Sequence, residues 1–165
     1  MIVRLLAALA ALAVTAACAS TGAAPRPFPA PGGSRGGPSA AGGAASAVVG
    51  DALALRGAPY RDGGADPSGF DCSGFAQYVF GRHALLLPRT VSAQAREGRA
   101  VRRQEIRAGD LVFFSTTAPG PSHVGIAIGP DTFVHAPSSR GVVRVERLSS
   151  SYWAPRLVTV RRVLR

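Results

Sequence analysis

The chain has 165 residues, of which 47% are hydrophobic, and its 19 basic and 9 acidic side chains give a formal net charge of +10 at pH 7. This length suits one domain, and this composition excludes a wholly disordered chain. Every basic residue is arginine, a bias in composition that discounts the net charge as a functional signal. The arginines are scattered, with no aromatic-interleaved basic motif, so nucleic-acid binding is not expected. No apolar run reaches the roughly 20 residues that span a bilayer.

The N-terminus has the layout of a secretory signal peptide. Met1 to Arg4 carries one positive charge, and an unbroken apolar run of ten residues follows at 5–14. Small residues then lead to Cys18. A short basic start, an apolar run and a small-residue cleavage site are the parts of such a signal. We therefore predict a cleaved signal peptide over residues 1–17.

The small residues that end at Cys18 resemble the lipobox of bacterial lipoproteins, in which the Cys thiol is diacylated and becomes the new N-terminus. Thr15 stands where such boxes usually carry Leu, so plain cleavage and secretion is the alternative. Ala19 rather than Asp follows the Cys, which in enterobacterial-type sorting implies the outer membrane. We expect a lipid anchor at Cys18 that holds the protein on the periplasmic side of the cell envelope.

The segment after Cys18 has the composition of a flexible tether. All but four of residues 19–46 are Ala, Gly, Pro or Ser, and they show neither a helical nor a strand period. Such a segment buries too little apolar surface to offset the entropy that ordering would cost. We predict that the lipidated Cys and a disordered tether occupy residues 18–46, and that one folded domain occupies residues 47–165.

Helical patterns come first in the predicted domain. Apolar residues at helical spacing run from Val48 and end before Gly57, a helix stop signal. A Gly- and Pro-rich loop follows at 58–69. A buried helix is predicted over about 72–82, and a short helix over 90–96.

The second half of the domain is predicted to form strands. Five short apolar or alternating stretches are separated by Gly and Pro clusters, as is typical of strands and their turns. They are Leu111–Phe114, His123–Ile128, Thr132–His135, Val142–Val145 and Arg156–Val163. Helices followed by a run of strands favour an α+β fold with an antiparallel sheet.

Cys72 is the one thiol left once Cys18 is lipidated or removed. It follows the Gly-rich loop and stands at the predicted start of a helix. The N-terminal end of a helix stabilises negative charge and lowers a thiol's pKa. The N–H groups of the first turn, unpaired within the helix, can also hold a developing oxyanion. We predict that Cys72 is a nucleophile; a small buried Cys that only packs is the alternative.

A nucleophile needs a base, and the chain has three histidines. His123 begins one predicted strand and His135 ends the next. If these strands pair as a hairpin through residues 129–131, both imidazoles fall near the same end of the sheet. His123 can then accept the thiol proton, and His135 can hold its orientation and tautomer. His83 follows a helix and is interpreted as a surface or packing residue.

One Cys and two His could also bind a metal. The chain has no C-x-x-C motif and no closely spaced pair of His residues, which structural and catalytic zinc sites commonly use. We therefore expect neither a metal nor another cofactor.

These motifs together resemble a known family, the NlpC-type cell-wall peptidases, which are papain-like cysteine hydrolases of bacteria. The resemblance covers residues ~47–163. Six pieces match in order: Gly57–Gly64, Gly69–Phe75, Leu87–Thr90, Gly109–Phe114, Ser122–Ile126 and His135–Ser139.

The resemblance implies a papain-like α+β fold in which the nucleophile helix packs on an antiparallel sheet. It also implies hydrolysis of peptidoglycan stem peptides, typically between D-glutamate and diaminopimelate. We expect the protein to be a monomer. A related papain-like amidase or acyltransferase with another substrate is the first alternative. A catalytically silent lipoprotein that binds the wall is the second.

The same resemblance implies roles for individual residues. Cys72 corresponds to the family's catalytic Cys, His123 to its base and His135 to its third polar residue. Three more residues are implied to line the site or to contact substrate: Tyr60, Asp71 and Ser73.

Overall fold

The computed structural model describes residues 40–165. The predicted signal peptide, the predicted lipid site at Cys18 and most of the predicted tether lie outside these residues. Among the described residues, no helix combines the length and the apolar character needed to cross a bilayer.

Three α-helices occupy the first half of the described chain: α1 (Ala40–Ala54), α2 (Cys72–Gly81) and α3 (Val91–Gln94). The start of α1 corrects the predicted domain boundary, because the helix begins seven residues before residue 47. Alanine is the strongest helix former, and the first turns of α1 are rich in it. Ala45 also packs beside Gly109, and Val48 is fully buried. The start of the folded part is therefore fixed by contacts that composition does not reveal.

Within residues 40–165, eight strands form two sheets. A two-stranded ribbon consists of β1 (Ala65–Asp66) and β2 (Gly69–Phe70). The main sheet contains β3 (Arg99–Ala100), β4 (Leu111–Phe114), β5 (His123–Ala127), β6 (Thr132–His135), β7 (Arg144–Arg147) and β8 (Leu157–Arg162). Its order is β3-β8-β4-β5-β6-β7, and every neighbouring pair is antiparallel. The predicted α+β class with an antiparallel sheet is confirmed.

The strand predicted over 142–145 lies two residues later in the structure, as β7. Val142 and Val143 instead pair with the segment that follows α1: Val143 N–H donates to the Ala58 carbonyl at 2.8 Å, and Gly57 N–H donates to the Val143 carbonyl at 2.9 Å. The two-residue strands β1, β2 and β3 were not predicted, because two residues are too few to show a period of two.

The core lies on both faces of the main sheet. Strand residues alternate between the faces, so Val124 and Ile126 of β5 pack against α1 and α2. Phe114 and Phe133 face the other way and pack with Trp153. This second cluster is where the aromatic side chains meet the two histidines of β5 and β6.

Candidate active site

Cys72 is the first residue of α2, and the residues around it explain why the helix begins there. Asp71 is the N-cap, with an extended backbone, and its carboxylate accepts from Gly74 N–H at 2.7 Å. Gly74 lies directly against the Gly-rich loop, since a β-carbon there would come 2.0 Å from the Gly64 carbonyl oxygen. The loop, the cap and the helix therefore hold the Cys72 backbone in one position.

The Cys72 thiol is partly exposed and lies against β5, within hydrogen-bonding reach of Val124 N–H. Burial raises the pKa of this thiol, and the backbone N–H donors of Val124 and Ser73 only partly oppose that effect. The expectation that the helix N-terminus would lower the pKa of the thiol is therefore wrong for the resting site. Desolvation penalises the thiolate more than these N–H donors stabilise it. The thiol is protonated at neutral pH and needs a base.

The hairpin of β5 and β6 forms as predicted, with Ile126 opposite Val134. It brings His123 and His135 together, with His123 Nε2 2.7 Å from His135 Nδ1 and the two rings nearly perpendicular. Because Nε2 of His123 makes this contact, Nδ1 is the ring nitrogen that the contact leaves available. The backbone N–H of Val124 lies within hydrogen-bonding reach of the thiol. His123 directly precedes Val124 in β5.

Both imidazoles are buried, and burial favours their neutral forms. It lowers the pKa of His123 to about 4. For His135, burial together with the nearby charges of His123 and Arg144 lowers the pKa to about 2. A neutral imidazole can accept a proton, so the pair is in the state that a general base requires at neutral pH.

Trp153 covers this pair and was not identified from the sequence. Its ring stacks on His123 with centroids 5.5 Å apart and 25° between planes, and it meets His135 edge-on at 5.0 Å. The indole N–H donates to the Glu146 carboxylate at 2.5 Å, which fixes the ring. The one feature of the sequence that could have drawn attention to Trp153 is that the chain has a single Trp.

The polar residues that flank Cys72 are engaged within the protein. Burial raises the pKa of the Asp71 carboxyl, but hydrogen bonds from Arg89 and Gly74 outweigh this effect and hold the pKa below its usual range. Arg89 also donates to Ser73 Oγ at 2.8 Å. Asp71 and Ser73 thus belong to a network that anchors the first turn of α2, a role beside the substrate contact implied by the resemblance.

Gln94 anchors the same turn from α3 and was also missed. It is fully buried, and its side-chain N–H groups donate to the Ser73 carbonyl at 3.0 Å and the Pro88 carbonyl at 2.8 Å. Nothing in the local pattern marks a Gln as buried, because its partners lie elsewhere in the chain.

Tyr60 and His83 lie in different parts of the domain. The Tyr60 hydroxyl donates to Asp62 at 2.7 Å. Burial raises the pKa of Tyr60, and the hydrogen bond to Asp62 adds to this rise. Tyr60 and Cys72 pack against the same core cluster. His83 lies past the far end of α2, with its Nε2 3.1 Å from an Asp51 carboxylate oxygen. A ten-residue helix is about 15 Å long, so His83 is remote from Cys72.

Comparison with known proteins places this arrangement in a family. The sequence profile described as "NlpC/P60 family" matches residues 57–162. The chain belongs to the NlpC/P60 family. Within residues 40–165, the family domain contains no group of three or more His, Cys, Asp or Glu side chains that could hold a metal ion.

Two curated relatives illustrate the family similarity. The chain is 44% identical over 110 residues to the murein DD-endopeptidase MepS/murein LD-carboxypeptidase of Escherichia coli K12, a match covering 66% of this chain and 57% of that protein. It is 40% identical over 117 residues to the probable peptidoglycan endopeptidase LytE of Bacillus subtilis 168, covering 71% and 34%. The chain thus spans about a third to somewhat over half of these relatives.

Solved structures of the family share the fold. An NlpC/P60 family protein from Bacillus cereus ATCC 10987 aligns with a TM-score of 0.69 and 30% identity, covering 73% of this chain and 40% of that one. The NlpC/p60 domain of the peptidoglycan hydrolase SagA aligns with a TM-score of 0.64 and 33% identity, covering 72% and 97%. The predicted papain-like α+β fold is confirmed.

The buried histidines of this NlpC/P60 domain predict acid-sensitive stability. In the unfolded chain each histidine has a pKa of about 6.5. The folded pKa is lower, about 4 for His123 and about 2 for His135. Their contribution to stability is therefore complete above pH 6.5 and is lost as the pH falls toward those folded values. We expect the free energy of unfolding to fall by about 1.4 kcal/mol per pH unit per histidine below pH 6.5.

Urea unfolding at several pH values measures this slope. His135→Gln should flatten the slope between pH 6.5 and 4, because it removes one of the two groups. Val158→Thr, an exposed substitution that removes no titratable group, should keep the parent slope. Equal slopes in the parent and His135→Gln proteins would contradict the prediction.

Proposed function

We propose that this chain is a cysteine endopeptidase that hydrolyses amide bonds in the stem peptides of peptidoglycan. The observation that carries the proposal is the Cys72 thiol at the start of α2, packed against the strand that bears the buried, neutral His123–His135 pair. The names of its relatives, which include peptidoglycan and murein endopeptidases, support the substrate class.

The proposed reaction begins with a protonated thiol and a neutral imidazole. As Cys72 Sγ attacks the substrate carbonyl carbon, Nδ1 of His123 accepts the thiol proton. The oxyanion that forms is held by backbone N–H groups at the start of α2, which have no acceptor within the helix. The Gly74 N–H is not one of them, because it donates to Asp71. His123 then gives the proton to the departing amine, and the acyl group remains bonded to sulfur.

Water completes the cycle. His123 takes a proton from the water that attacks the thioester, and the sulfur leaves and recovers its proton. His135 acts through His123: by accepting the Nε2–H of His123 it keeps Nδ1 free to act as base. Trp153 keeps the His123 ring in plane and shields the pair from solvent.

The bond between D-glutamate and diaminopimelate is the proposed target. The relatives' names cover several bonds, among them those of a gamma-DL-glutamyl hydrolase and a DL-endopeptidase of Bacillus subtilis, each 38% identical to this chain. Digestion of purified sacculi with residues 40–165, followed by mass spectrometry of the fragments, tests the bond directly. New fragments with N-terminal diaminopimelate are expected.

The Cys72→Ala protein is the matched control for that digestion. Cleavage at a different stem-peptide bond would contradict the proposed D-glutamyl bond but would still support the endopeptidase activity. Sacculi left intact by the parent protein, with cleavage of some other amide or ester, would favour the related amidase or acyltransferase. Binding to sacculi without any cleavage would favour the silent wall-binding protein.

We further propose that a lipid on Cys18 anchors the protein, as a monomer, at the membrane of the cell envelope. Several acyl chains hold a protein firmly, whereas one gives only reversible binding. Cys18→Ser should therefore move the protein from the membrane fraction to the soluble fraction without changing the specific activity of the domain. Mass spectrometry of the native N-terminus checks this, and an unmodified peptide beginning at Cys18, Ala19 or Ser20 would establish plain secretion.

A further inference from the structure

An exposed aromatic ring and a guanidinium lie together close to His123. Tyr152 is 49% exposed, although it directly precedes the buried Trp153. The guanidinium carbon of Arg156 lies 4.1 Å from the centre of the Tyr152 ring. Neither residue belongs to the proposed catalytic machinery, and neither was singled out by the sequence motifs.

The strand register fixes the distance of this pair from the base. Leu157 on β8, Phe114 on β4 and His123 on β5 lie side by side on three neighbouring strands. Adjacent strands are about 4.8 Å apart, so the backbone at Arg156 is about 10 Å from that at His123. The Tyr152 ring meets Trp153 edge-on at 4.8 Å, and Trp153 stacks on His123. The aromatic contacts thus continue from the base to the surface.

The sheet faces on which Cys72 and Trp153 pack bear on where the leaving residue lies. Cys72 and α2 pack on the sheet face that carries Val124, whereas Trp153 packs on the opposite face. In the proposed function, on which this inference rests, His123 protonates the departing amine. In that reaction the leaving residue lies beside His123. Tyr152 contacts Trp153 edge-on, Trp153 stacks on His123, and the Arg156 guanidinium lies over the Tyr152 ring.

Most N–H donors of the Arg156 guanidinium have no acceptor among the described residues. Within residues 40–165 it forms no ion pair with a carboxylate, and its one side-chain hydrogen bond there is from a terminal guanidinium nitrogen to the Tyr152 carbonyl at 2.7 Å. The remaining N–H groups form a planar fork suited to a carboxylate. The Tyr152 ring beside them offers an apolar surface for methylene groups.

We propose that Tyr152 and Arg156 form a subsite for a leaving-side residue that ends in a free carboxylate. Two successive ring contacts, of 5.5 Å from His123 to Trp153 and 4.8 Å from Trp153 to Tyr152, separate the pair from the base. The pair therefore suits the far end of a long side chain and not a group bonded to the reacting atoms. A diamino dicarboxylic acid, whose side chain ends in its own carboxylate, is the chemical class that fits. The subsite would distinguish stem peptides with this carboxylate free from those in which it is amidated.

Two soluble stem peptides that differ only in amidation of the side-chain carboxylate test the subsite. With Arg156→Gln, kcat/KM for the free acid should fall about 10- to 100-fold, mainly through KM, because one charge-assisted hydrogen-bonded contact is lost. The amidated peptide should be cleaved as by the parent protein. Arg56→Gln, an exposed arginine that follows α1, should leave both rates unchanged. Tyr152→Phe should match the parent protein, and Tyr152→Ala should weaken the binding of both peptides.

Calorimetry with the Cys72→Ala protein measures the same discrimination without cleavage. In this background Arg156→Gln should weaken binding of the free acid by the same factor and leave binding of the amidated peptide unchanged. Equal losses on both peptides, or no loss on either, would overturn the subsite while leaving the endopeptidase proposal intact. If Arg156→Gln unfolds, Arg156→Lys replaces it and should retain part of the preference for the free acid. Failure of the parent protein to cleave either peptide would count against the proposed function, whereas the calorimetric preference would still decide the subsite.

Discussion

Cys72→Ala should abolish hydrolysis of peptidoglycan while leaving the fold intact. A covalent mechanism has no substitute for its nucleophile, so we expect the rate to fall by a factor on the order of 10⁴ or more. The free energy of unfolding should change by less than about 1 kcal/mol, because Cys72 is partly exposed and the helix is started by Asp71, Gly74 and Arg89 rather than by the thiol. Release of soluble fragments from sacculi measures the rate, and urea unfolding measures the stability.

Cys72→Ser is the conservative companion to that experiment. It keeps the shape of the side chain but replaces the thiol with a hydroxyl that is far harder to ionise, so it should be inactive too. Near-parent cleavage by Cys72→Ala would contradict a cysteine mechanism. Activity that a chelator removes would contradict it as well, and would indicate metal-dependent hydrolysis.

His123→Ala should cost nearly as much activity as the loss of Cys72. The pKa of the thiol is raised by burial, so without a base very little thiolate forms at neutral pH. Because nucleophile and base act as one unit, the Cys72→Ala/His123→Ala double variant should be no slower than either single variant. The rates of sacculus digestion by the three proteins measure this lack of additivity.

His135 and His83 provide graded comparisons for the same assay. His135→Ala should cost less than His123→Ala, because His135 orients the base and does not itself move the proton. His83→Ala should be close to the parent protein, since its contact is with Asp51 and it lies beyond the far end of α2. An essential His83 with a dispensable His135 would show that the proposed triad is wrong.

The parts of the site that were predicted from sequence are those fixed by local pattern. The start of α2 follows from the end of the Gly-rich loop, and the meeting of His123 with His135 follows from a short hairpin with alternating strands. The contributions of Gln94 and Trp153 arise from contacts between segments that are distant in the chain. No local period reveals such contacts, so these residues were missed.

Two further expectations differ from the structure because the sequence does not show which side chains become buried. Helix α1 begins at Ala40, and its Ala45 packs beside Gly109 while its Ala52 is fully buried, whereas composition alone indicated a tether up to residue 46. The pKa of Cys72 is raised rather than lowered, because the sequence shows the helix end that stabilises a thiolate but not the packing that desolvates it.

The close approach of Gly74 to the Gly-rich loop has a consequence for how this chain can vary. Any side chain at 74 would meet the Gly64 carbonyl, and any side chain at 64 would meet the Gly69 carbonyl oxygen at 2.2 Å. In a library that randomises both positions and is selected for wall hydrolysis, glycine should be the residue recovered at each. We therefore expect little tolerated variation at the two glycines beside Cys72, and more at Tyr152, which faces solvent.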